Sequence, residues 1–96
     1  MRKSNIQPLK VVLHAYIKAL GHHRKLKEVN IIASWEALMG KTIARNTRQI
    51  YIKNKVLFVY LDSAALRNEL LFYKEKIVAH LNEHAGEEIV EKIVLR

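Results

Sequence analysis

The chain has 96 residues, half of them apolar, which suits one domain around one core and leaves no room for a second. It contains no cysteine, so disulfides and thiolate zinc sites are excluded and a reducing compartment fits. The net charge of +8 is unevenly spread: residues 1–55 carry twelve Lys and Arg against two acids, a net +10, and residues 56–96 carry five against seven, a net −2. A basic half of this kind attracts a polyanion at long range, or forms a solvated surface that keeps the protein soluble.

The N-terminus starts basic and continues apolar, but Lys10, His14 and Lys18 interrupt the run before it reaches signal-peptide or membrane-span length. A cytoplasmic protein with no membrane partner is expected. Residues 5–20 read as a first helix, with Leu9, Val12, Leu13, Tyr16, Ile17 and Leu20 as its buried stripe, Pro8 in its first turn and Gly21 as its terminator. Lys10, His14 and Lys18 make a basic ridge on the other side. Residues 21–27 follow as a loop in which His22, His23, Arg24, Lys25 and Lys27 have no acid among them. This loop is either a solvated linker or a phosphate contact.

A second helix is expected over residues 26–39, with Val29, Ile32, Trp35 and Met39 on its apolar side, Ile31 and Leu38 beside them, and Gly40 at its end. The single tryptophan sits at helical spacing inside that stripe, so it reads as a core residue. After Gly40, Ile43 and Ala44 can pack while Lys41, Arg45 and Arg48 face outward.

Two runs rich in Ile, Val, Tyr and Phe then meet at Asn54 and Lys55, which predicts a β-hairpin. A two-residue turn there pairs Lys53 with Val56, Ile52 with Leu57, Tyr51 with Phe58, Ile50 with Val59 and Gln49 with Tyr60. Ile50, Ile52, Leu57, Val59 and Leu61 then share the core face. Gln49, Tyr51, Lys53, Val56, Phe58 and Tyr60 share the other, a surface suited to stacking bases or to pairing with another protein chain. Lys55 stands where glycine would best suit such a turn, so a longer loop with a shifted register stays open.

A long helix is expected over residues 64–84, capped by Asp62 or Ser63, buried through Leu66, Leu70, Tyr73, Ile77 and Leu81, and ended by Gly86. Residues 88–95 alternate as a third strand, which a right-handed crossover places parallel to the second strand in a 1-2-3 sheet. The predicted class is α+β: two N-terminal helices, a hairpin, a long helix and a third strand, forming a three-stranded mixed sheet with helices on one face.

The segment Trp35-Glu36-Ala37-Leu38-Met39-Gly40-Lys41-Thr42-Ile43-Ala44-Arg45-Asn46-Thr47 resembles the W-x-x-(aliphatic)-(V/M)-G-x-x-(I/L)-A-x-(H/N)-(S/T) pattern of the DciA family, bacterial proteins that assist the replicative DNA helicase. Leu57 to Leu61 is similar to that family's L-x-V-x-V strand, Ser63 to Leu70 to its S-x-x-W-x-x-E-L helix start, and Leu81-Asn82 with Gly86 to its L-N-x-x-x-G ending. Leu66 stands where the family usually has Trp, and Lys55 where it usually has a turn Gly. The resemblance covers residues 9–95 and makes residues 1–96 one DciA-like domain. It implies a KH-like fold, binding of single-stranded DNA, with RNA as the other candidate strand, and loading or activation of the replicative helicase. The G-x-x-G clamp of true KH domains is missing. The long flexible extension that many members carry is also missing from these residues, so folded surfaces are expected to serve both partners.

Other chemistry is thinly represented. His80 and His84, four apart with Glu83 nearby, have helical metal-ligand spacing but no nameable third ligand, and they equally suit an exposed helix margin. No Ser or Lys stands beside a recognisable base, and three glycines do not build a phosphate-cradling loop. A non-enzyme without a cofactor is expected. The expected nucleic-acid contacts are Arg24, Lys25, Lys27, Lys41, Arg45, Arg48, Lys53 and Lys55, converging on one end of the hairpin, with Tyr51, Phe58 and Tyr60 on the open sheet face. Glu69, Glu75 and Glu83 are expected to face the helicase. The competing class is a protein-interaction module, or a homodimer formed through the aromatic face.

Overall fold

Alternating residues of the hairpin set the scaffold. A computed structural model describes residues 6–96, with side chains from Leu9 onward; the expected helix start at Asn5 lies outside them. Strand β1 (Thr47–Lys53) pairs antiparallel with β2 (Val56–Leu61) in the anticipated register, Tyr51 opposite Phe58 and Gln49 opposite Tyr60, with a bulge between Thr47 and Gln49. Asn54 and Lys55 have φ of 52° and 67°, so both turn residues are left-handed, as a two-residue hairpin turn matched to strand twist requires. Lysine therefore occupies a position that glycine would fill with less strain.

Strand β3 (Lys92–Leu95) lies parallel to β2, with Leu57 beside Ile93 and Val59 beside Leu95, and the order is β1-β2-β3. It is shorter than the expected 88–95 strand. Ile89 and Val90 are nonetheless fully buried, held in a loop rather than a ladder.

The long helix after the hairpin is interrupted. Helix α4 (Ala64–Leu70) is capped by Ser63, whose Oγ accepts from the Leu66 N–H at 3.1 Å; a 3₁₀ turn follows at Leu71–Tyr73, then helix α5 (Lys74–Ala85). The tighter turn shifts the helical phase. Leu70, Ile77, Leu81 and Ala85 remain buried, but Tyr73, expected inside, is exposed. Gly86 ends α5 at φ 81°, the left-handed cap that its lack of a Cβ favours.

The largest departure is at the N-terminus. Helix α1 (Ile6–Ala33) runs unbroken through Gly21, 28 residues and about 42 Å long. The expected helix, basic loop and second helix are thus mostly one element. An interior glycine costs a helix only about 1 kcal/mol, and Arg24, Lys25, Leu26 and Lys27 beyond it are good helix formers. The final turn of the expected second helix separates as the short helix α2 (Trp35–Met39), and the residues beyond Gly40, for which no helix was expected, form a further short helix α3 (Lys41–Arg45); Gly40 divides the two at φ 93°.

Continuation through Gly21 carries the N-terminal half of α1 clear of the sheet. Leu9, Val12, Leu13, Tyr16, Ile17 and Leu20, expected in the core, are all exposed, as is Val29. The core is built instead from Ile31, Trp35, the inward faces of β2 and β3, and the buried stripe of α4 and α5, with Ile50 and Ile52 packed against it. The Trp35 indole N–H donates to Thr47 Oγ1 at 3.0 Å, and that hydroxyl donates to the Ile43 carbonyl at 2.7 Å.

Candidate nucleic-acid interface

The pleat of the sheet sends Ile50, Ile52, Leu57, Val59, Ile93 and Leu95 toward the core and leaves the intervening residues on the opposite face. On that face Tyr51, Phe58 and Tyr60 are partly exposed and stack on one another. The Tyr51 and Phe58 ring centroids are 5.0 Å apart at 18°, and those of Tyr51 and Tyr60 are 6.2 Å apart at 23°. The two phenol oxygens approach to 3.5 Å. Hydrogen bonding to Tyr60, with some desolvation, raises the Tyr51 phenol above its usual range, and the nearby Arg96 guanidinium acts in the opposite direction.

The same alternation places Lys53, Lys92, Val94 and Arg96 on the ring-bearing face, with all three cations exposed. Lys92 and Arg96 were not among the expected contacts. Their signal was the period-2 pattern of the last strand, which needs its pairing with β2 before it assigns a face.

The expected cations do not converge on one end of the hairpin. Arg48 is the second residue of β1 and Lys53 its last, about 17 Å apart for five residues of strand. Lys41, Arg45 and Arg48 are exposed at the first end, near Arg96, whose backbone pairs with Leu61 and Val59. Arg48 there faces Asp62 at 3.6 Å, an exposed and weakly held pair. Lys53 and Lys55 are at the turn end, where the Lys55 carbonyl accepts from the Glu91 N–H at 2.7 Å.

Arg24 and Lys27 are committed elsewhere. Arg24 donates to the Ile89 carbonyl and lies 3.5 Å from Glu28, while Lys27 donates at 2.7 Å to the Ala85 carbonyl at the C-terminus of α5, where a cation also meets the favourable end of the helix dipole. They tie α1 to the body. Lys25, between them, is exposed.

Glu69, Glu75 and Glu83 are exposed on α4 and α5. His80 contacts the Leu38 carbonyl and His84 contacts Asn30 Oδ1, each at 3.2 Å, so both histidines lie along the contacts of α5 with α2 and α1. Among the described residues no three His, Asp or Glu side chains gather as a metal-holding group, and no helix is long and apolar enough to cross a membrane.

Comparison with known proteins agrees with the motif pattern. A protein of Corynebacterium glutamicum (strain R), named UPF0232 protein, is 30% identical over 82 residues, which cover 85% of this chain and 46% of that protein. The chain thus spans about half the length of this curated relative. The family described as Dna[CI] antecedent, DciA, matches residues 8–95. That family is associated with helicase loading in DNA replication and is not a known enzyme family. A match over nearly all of its length makes this chain a member of the DciA family.

Proposed function

We propose that this domain binds single-stranded DNA across the open sheet face and assists the replicative helicase, without hydrolysing nucleotide itself. The observation that carries the proposal is the stack of Tyr51, Phe58 and Tyr60, which has Lys53 and Lys55 toward the turn and Arg48 and Arg96 toward the other end, where Asp62 faces Arg48 at 3.6 Å. Bases stacked on such rings gain about 1 to 3 kcal/mol each whatever their identity, which suits a protein that meets arbitrary sequence. A strand lying along β1 and β2 reaches Arg48 and Arg96 at one end and Lys53 and Lys55 at the other. The separation of about 17 Å accommodates a few nucleotides between them.

Family membership supports the helicase as the protein partner. The exposed acids Glu69, Glu75 and Glu83 lie on helices away from the ring-bearing face, so they supply a contact that leaves the DNA surface free. Cytoplasmic action follows from the same role.

Fluorescence anisotropy with single-stranded DNA, single-stranded RNA and duplex oligonucleotides, repeated over a salt series, tests the first part. Binding to the single strand should weaken steeply with salt, and Phe58→Ala should weaken it about 5- to 150-fold, the equivalent of one lost stack. Unchanged affinity in Phe58→Ala and Tyr51→Ala would remove the sheet face from the reading. If instead the rings hold two protein chains together, self-association will be insensitive to salt and lost in the same variants. Co-purification of the helicase with Glu69, Glu75 and Glu83 reversed to Lys tests the second part, and retained binding would reject those acids as the contact.

A further inference from the structure

We propose that the projecting half of α1 is a dimerisation helix, covered by the same half of α1 from a second copy in antiparallel orientation. Every hydrogen bond and ion pair from α1 to the rest of the described chain starts at His23 or later: His23 to Glu87, Arg24 to Ile89, Lys27 to Ala85 and Asn30 to His84. Before His23 the helix runs clear of its own body. Its apolar stripe of Leu9, Val12, Leu13, Tyr16, Ile17 and Leu20 is 52–67% exposed.

Two physical arguments require a cover for that stripe. A helical segment of about 12 to 15 residues is marginal in water even when rich in alanine, and this one contains the β-branched Val11, Val12 and Ile17. Its helicity therefore depends on burial. Six apolar side chains, each leaving on the order of 100 Å² open, present about 600 Å² per copy, the upper end of what a soluble monomer leaves in one patch. A pair of copies would bury about 1,200 Å², where specific interfaces begin.

The pattern selects a second copy and its orientation. Leu9, Leu13, Tyr16 and Leu20 are spaced by four, three and four residues, the seam of a two-helix coiled coil. In an antiparallel pair centred on this seam, Leu13 meets the partner's Tyr16 and Leu9 meets the partner's Leu20. Lys10 then flanks the partner's Ile17, where its stem packs and its amine reaches water, and Lys18 points outward, so no two lysines oppose each other. A parallel pair would crowd both bodies against the same end of helices only about 8–10 Å apart. The molecule measures 69 × 20 × 20 Å, and antiparallel pairing puts the two bodies at opposite ends. The arrangement is two-fold symmetric and closes on itself.

The sheet face takes no part in this pairing, so the dimer stands or falls independently of oligonucleotide binding. Light scattering and sedimentation of the whole chain over a concentration series should give twice the monomer mass, and a monomer throughout would overturn the proposal. Leu13→Glu combined with Tyr16→Glu should yield a monomer that keeps the near-ultraviolet signal of buried Trp35, whereas a persistent dimer would reject this interface. The absence of native cysteine allows the orientation to be read directly. Under mild oxidation Leu9→Cys mixed with Leu20→Cys should form a disulfide-linked dimer while neither variant alone does, and cross-linking of either variant alone would overturn the antiparallel geometry.

Discussion

The side chain of Asn82 grips the backbone of Val90 at both of its polar groups. Asn82 Oδ1 accepts the Val90 N–H at 2.9 Å and Nδ2 donates to the Val90 carbonyl at 2.8 Å, while the same Oδ1 also accepts the Ile89 N–H at 2.9 Å. Ile89 and Val90 are fully buried without a ladder partner of their own, so the amide replaces a strand neighbour for them. Replacing it with Ala strands these backbone groups in a part-buried site. Asn82→Ala should lower unfolding stability by about 2 to 4 kcal/mol, read as a lower urea midpoint at unchanged slope. Asn82→Asp keeps the acceptor and loses the donor, so its midpoint should fall between the two.

Gly21 lies inside α1 with open space where a Cβ would sit and no left-handed backbone. Gly21→Ala should therefore stabilise the helix by up to about 1 kcal/mol and increase the helical circular dichroism signal. A loss of stability would show that the chain turns at this position in solution.

Lys55 at φ 67° carries a strain that glycine does not. Lys55→Gly should raise stability by about 0.5 to 1 kcal/mol in thermal unfolding. It should also weaken oligonucleotide binding slightly, by the loss of one phosphate-reaching cation.

The two cation groups at the ends of the hairpin should act separately on nucleic acid. Reversing Lys41, Arg45 and Arg48 to Glu at one end, or Lys53 and Lys55 to Glu at the turn end, should each reduce affinity and flatten the dependence of log affinity on log salt, by about 0.7 for each phosphate of a single strand that is no longer neutralised. Reversing Arg24 and Lys27 should act chiefly on thermal stability, because these two side chains hold α1 to Ala85 and Ile89. Loss of binding in that variant without loss of stability would assign them to the ligand.

Local chemistry made part of this protein legible from its residues. The hairpin register followed from a two-residue turn between period-2 runs, which also put Tyr51, Phe58 and Tyr60 on one face. Ser63 and Gly86 are caps that act within one turn of their own positions, and they were readable for the same reason. The order of the motifs from Trp35 onward carried the family resemblance because spacing is a property of sequence alone. Tertiary structure decided the rest. The far half of helix α1 is seated on the body by bonds to Ala85, Glu87 and Ile89, some sixty residues distant in the chain, and no local signal encodes that anchorage. The same bonds turned Arg24 and Lys27 from free cations into fastenings. Lys92 and Arg96 joined the ring-bearing face only once β3 took its place beside β2, since alternation tells which residues share a face and only strand pairing tells which face that is.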